Sequence, residues 1–87
     1  MDIKKASPKD AIEFVRKHNP DALSADGLDY AIIGSTLTPP VLVYSMTQII
    51  AGLIREGLNR DEALDHYHFN IAGAFVGRET PIFLSDF

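Results

Sequence analysis

Cysteine is absent from the 87 residues of this chain. That excludes a disulfide framework, a thiolate metal site and a thiol nucleophile. Basic side chains are scarce: 8 stand against 12 acidic ones, for a net charge of −4. An acidic balance argues against general nucleic-acid binding, which needs a basic surface to displace counterions. Charge of either sign is missing from the 25 residues between Tyr30 and Ile54. A membrane span needs about 20 predominantly apolar residues. This stretch is interrupted by Gly34, Ser35, Thr36, Thr38, Pro39, Pro40, Ser45, Thr47 and Gln48, and its cleanest piece, Val41 to Ile54, covers 14 residues. A buried centre of a globular domain is expected there, with no membrane span. The opening MDIKKASPKD carries no apolar core of a secretory signal, so a cytoplasmic location is expected.

Hydrophobic residues make up 46% of the chain, which argues against disorder. The length suits one domain over residues 1–87. So small a domain buries only about 60% of its unfolded surface, which favours oligomerisation or docking on a partner. Residues 1–20 hold five basic and three acidic groups, and 21–87 hold three basic and nine acidic.

Three helices have readable ends. Ser7-Pro8-Lys9-Asp10 reads as a start, with Ser7 as cap, Pro8 at the first helical position and Asp10 facing the positive end. Asn19-Pro20 stops this helix, giving a span of 7–18. Ser45-Met46-Thr47-Gln48 has the form of a capping box, with Tyr44 and Ile49 as the hydrophobic staple. Met46, Ile49, Ile50, Leu53 and Ile54 follow at helical spacing. Gly57 supplies the left-handed residue after this second helix, with Leu58 folding back on Leu53. Asn59 caps the third helix and Glu62 reaches back to it, so 46–76 reads as a helical hairpin. From Tyr67 onward that helix is apolar on every side, which implies deep burial or a partner.

Strands are expected over Tyr30–Leu37, Val41–Ser45 and Pro81–Leu84, the strand pair occupying 25–45 and breaking at Pro39-Pro40. The order α-β-β-α-α-β predicts an α+β fold: a small three-stranded antiparallel sheet packed by three helices.

Chemistry is thinly represented. His66 and His68 lie two apart, about 200° on a helix, and cannot share a metal ion within one subunit. His68, on the flank of the apolar face, reads as a hydrogen-bonded core histidine. Asp26-Gly27-Leu28-Asp29 lacks the oxygen ladder of a calcium loop and reads as a capped turn. Glu62 and His66 fall one turn apart and read as a solvated helix-face contact rather than an acid–base pair. Gly34-Ser35-Thr36 hints at a phosphate-holding turn without the remaining glycines and lysine of a P-loop. No catalytic set emerges, and no cofactor or metal is expected. Phe69, Phe75, Val76, Phe83 and Phe87 are more large apolar groups than the last quarter of so small a domain easily hides. They point to a hydrophobic docking surface.

The run His66-Tyr67-His68-Phe69-Asn70-Ile71-Ala72-Gly73-Ala74-Phe75-Val76-Gly77-Arg78-Glu79-Thr80-Pro81 resembles the C-terminal signature of a family of small uncharacterised phage, prophage and bacterial proteins. Its form is an aromatic-rich stretch followed by F/Y-N-V/I-x-G-A-aromatic-V-G-x-x-T-P. Asp26-Gly27-Leu28-Asp29, Ala31-Ile32-Ile33-Gly34, Pro39-Pro40-Val41 and Tyr44 agree as well, so the resemblance spans roughly residues 25 to 84. His68 departs from it, standing where members often carry Glu, and so does Ser45-Met46-Thr47 in place of a charged helix start. The resemblance implies a phage-related, cytoplasmic context and brings no established activity. The expectation is a non-enzymatic accessory protein acting by protein binding or self-association, with a host or phage protein or its own copies as partner. A host defence component is one such partner. Its binding surface would comprise Tyr67, Phe69, Asn70, Phe75, Arg78 and Phe83. The alternative is a homo-oligomer that binds a nucleotide-like ligand through Gly34, Ser35 and Thr36 with Asn70 and Arg78.

Overall fold

A computed structural model of the chain describes residues 3–75, 77 and 79–86. The chain runs β1 (Ile3–Lys5), α1 (Pro8–His18), β2 (Ile32–Thr36), β3 (Leu42–Ser45), α2 (Met46–Arg55), α3 (Arg60–His66) and β4 (Ile82–Leu84). A 3-10 turn over Asp29–Ala31 precedes β2; a π-helical turn over Tyr67–Ile71 and a 3-10 turn over Ala72–Ala74 follow α3.

The α+β class stands, but the sheet differs from the one expected. It has four strands in the order β1-β2-β3-β4, and it is mixed. β1 and β2 pair antiparallel, as do β2 and β3, while β4 runs parallel to β3. β1 escapes a hydrophobic-pattern reading because Ile3, Lys4 and Lys5 are all exposed, and only pairing with β2 makes them a strand. Parallel neighbours need a long crossover. The passage from Met46 to Pro81 provides it.

The helix ends follow local chemistry closely. The Asp10 N–H donates to Ser7 Oγ at 3.2 Å, and the Gln48 N–H to Ser45 Oγ at 3.1 Å. Asn59 and Glu62 form a reciprocal capping box, with bonds of 2.8 and 2.9 Å. After α2 the Leu58 N–H donates to Leu53 O and the Gly57 N–H to Ile54 O, with Gly57 at φ +113°. That is the paired-carbonyl closure of a Schellman motif. The third helix is shorter than expected. Its α-helical part ends at His66, and the chain then widens into the π turn.

One face of the sheet carries the core. Register places Ile32, Tyr44 and Phe83 side by side, with Leu42 beyond them. These pack with Ala11 and Val15 of α1, Met46, Ile49 and Leu53 of α2, Ala63 of α3, and Tyr67 and Ile71 of the π turn. Tyr44 is fully buried, and its hydroxyl accepts the Ala25 N–H at 2.9 Å. Asn19, at the end of α1, donates to Pro40 O at 2.8 Å and to Glu79 Oε2 at 2.6 Å. It clasps three separate segments together. At the C-terminal end, Asp86 accepts from the Ser45 hydroxyl and from the Thr47 N–H. Among the described residues, no helix is long and apolar enough to cross a membrane.

Candidate functional site

The expected binding surface divides between inside and outside. Tyr67 is buried, and Phe75 and Phe83 are half-buried. Phe83 is the hub of an aromatic cluster: its ring centre lies 5.5 Å from Tyr44, 5.8 Å from Phe75 and 6.1 Å from Tyr67. Such separations suit offset and edge-on aromatic contact. Tyr67, Phe75 and Phe83 therefore help hold β4 onto the core, with Phe75 and Phe83 keeping part of their surface outside. Phe69 and Asn70 remain outside. Phe69 is 78% exposed. Asn70 Nδ2 lies 3.4 Å from His66 Nδ1. Arg78, Val76 and Phe87 lie outside the described residues.

The π turn explains this partition. Tyr67 and Ile71 both face inward, so His68, Phe69 and Asn70 between them are driven to the surface. Of the two expectations for this apolar stretch, deep burial or a partner, deep burial does not hold at Phe69. His68 is likewise exposed rather than a core histidine. The Glu62 carboxylate serves as the reciprocal half of the cap, accepting from the Asn59 N–H rather than pairing with His66.

Gly34, Ser35 and Thr36 lie in strand β2, not in a turn. Gly34 is needed for another reason: a β-carbon there would run into the backbone carbonyl of Lys4 on β1. The Thr36 hydroxyl donates to Pro39 O at 2.7 Å and accepts the Val41 N–H at 2.9 Å. It is committed to closing the β2–β3 loop. Ser35 is buried and borders a cavity of about 300 Å³ beside Lys4, Lys5 and Phe14. Asp26-Gly27-Leu28-Asp29 does form a turn, with Gly27 at φ +79° and the Leu28 N–H on Ala25 O.

Burial pushes the Tyr44 hydroxyl above its ordinary value, against the opposing hydrogen bond from Ala25. Burial also raises Tyr67, with the Asp86 carboxylate adding to it. Tyr30 is raised by burial and by Glu56, with Arg55 opposing. For Asp86, burial acts upward, but hydrogen bonds from Ser45 and Thr47 outweigh it and lower the pKa. These shifts favour neutral phenols and an ionised carboxylate, the resting forms of both. Among the described residues, no three His, Asp or Glu side chains gather closely enough to hold a metal ion.

A feature not foreseen from the sequence is a groove between α2 and α3. Met46, Ile50 and Ile54 line one wall and Leu64 the other, with Thr47, Arg60 and His68 at its margins; its volume is about 370 Å³. The four-residue spacing of Met46, Ile50 and Ile54 could have signalled it, since part of that stripe stays uncovered when the hairpin partner is short. No protein family, curated protein or solved structure matches the chain.

Proposed function

We propose that this chain is a non-enzymatic accessory protein of phage or prophage type that acts by binding protein. Its partner is a second copy or a host protein such as a defence component. The observation that carries this reading is Phe69. It stands 78% exposed on a turn whose neighbours Tyr67 and Ile71 are anchored in the core. A large aromatic held out on a supported backbone loses little conformational freedom on docking, as interface anchors require. The nucleotide-like ligand reading draws no comparable support, since Gly34, Ser35 and Thr36 are occupied in the sheet and loop.

Light scattering over a rising concentration series, with capture on immobilised protein from host lysate, tests the proposal. Phe69→Ser is expected to abolish the oligomer or the captured partner while leaving the melting temperature nearly unchanged. A monodisperse monomer with no Phe69-dependent partner would overturn it.

A further inference from the structure

The groove between α2 and α3 combines an apolar wall with a single full positive charge. Met46, Ile50 and Ile54 recur every fourth residue along α2 and form a continuous ridge. Ile54 is 44% exposed although it belongs to this ridge. From Met46 to Ile54 the helix rises about 12 Å, roughly the length of an eight- to ten-carbon chain. Arg60 lies at the hairpin end, because only Glu56, Gly57, Leu58 and Asn59 lie between α2, which carries Ile54, and α3, which opens on Arg60. Thr47 follows Met46 at the start of α2, and His68, beyond the end of α3, also lines the groove. The cavity of about 370 Å³ falls in the range of small-molecule sites, which are apolar with a few placed polar groups.

Charge selects the ligand class. A chain of net −4 does not attract anions over its whole surface. The nearby Glu62 carboxylate is engaged by the Asn59 N–H, and Arg60 is the cationic side chain among the groove's lining residues. An anion without an apolar tail gains nothing from the ridge, and an apolar chain without a negative head gains nothing from Arg60. We propose that this groove binds a straight-chain monocarboxylate, with its alkyl chain along Met46, Ile50 and Ile54 and its carboxylate on the Arg60 guanidinium. Phe69 is not among the groove's lining residues.

Calorimetric titration of the full chain with sodium decanoate, octanoate and hexanoate, and with decanol, tests both halves of the proposal. Saturable one-to-one binding of decanoate is expected, weakening about tenfold for each two carbons removed. Decanol is expected to bind less tightly than decanoate. Arg60→Gln should erase that preference while leaving decanol unaffected, and Ile54→Glu should weaken both ligands. Arg60 and Ile54 are exposed, so unchanged melting curves for these variants will show that folding is preserved. Absence of saturable binding, or affinity indifferent to chain length, would overturn the proposal. So would a wild-type dimer that Ile54→Glu dissociates, which would make the groove a seat for a second copy.

Discussion

Gly34 and Gly52 both lack room for a β-carbon, and the difference between them lies in what stands in the way. At Gly34 the obstacle is the Lys4 backbone carbonyl, held in the β1–β2 pairing. At Gly52 it is the hydroxyl end of Tyr30, a side chain 42% exposed and able to swing away. Gly34→Ala is therefore expected to lower stability by about 2 kcal/mol or more, because strand backbone must shift. Gly52→Ala should be close to neutral, since the displaced Tyr30 contact is offset by the roughly 1 kcal/mol gained in helix propensity. Thermal melts of the two variants will separate these cases. From sequence, Gly34 looked like part of a phosphate turn. A glycine that admits a ligand and one that admits a neighbouring strand have the same local signature.

Among the elements, β4 depends most on distant partners. It is three residues long, pairs parallel with β3, and is held by Phe83 in the aromatic cluster and by Asp86 on Ser45 and Thr47. The Asp86 carboxyl has a lowered pKa in the folded chain. A depressed folded pKa contributes stability above the unfolded carboxyl value, near 3.9, and loses it as pH falls through the folded value. The melting temperature is thus expected to drop on acidification below about pH 4. In Asp86→Asn part of that acid dependence should be missing, with a lower melting temperature at neutral pH. The helices were legible because their determinants are near neighbours: Ser45 with Gln48, Asn59 with Glu62, Gly57 with Ile54. β4 was legible as a strand but not in direction, since its anchors lie about forty positions away along the chain.

On the scale of the whole molecule, the C-terminal aromatics answer two different needs. Phe83 closes the core and Phe69 leaves it. Phe83→Ala is expected to cost about 3 kcal/mol, the lower end for a phenylalanine truncation because the ring is only half-buried. Phe69→Ser should change stability by no more than about 0.5 kcal/mol, as for other surface substitutions. Denaturant unfolding of the pair separates a packing role from a docking role. The opposite ranking would show that Phe69 is covered by its own chain.

The sequence by itself determined where the three helices begin and where the first two end, the α+β class, and the uncharged stretch that supplies β2, β3 and α2. Each of these rests on contacts within a few residues or on composition summed over a segment. Tertiary structure alone decided that Ile3–Lys5 forms an edge strand, that β4 runs parallel, and that Phe75 and Phe83 turn inward while Phe69 turns out. It also opened the groove between α2 and α3. A three-residue strand exposed throughout, as Ile3–Lys5 is, shows no hydrophobic period, and neighbouring aromatics are chemically alike until a turn assigns them to opposite sides. Asn19 with Glu79 and Ser45 with Asp86 join residues 60 and 41 positions apart. Pairings at that distance are set by the folded topology.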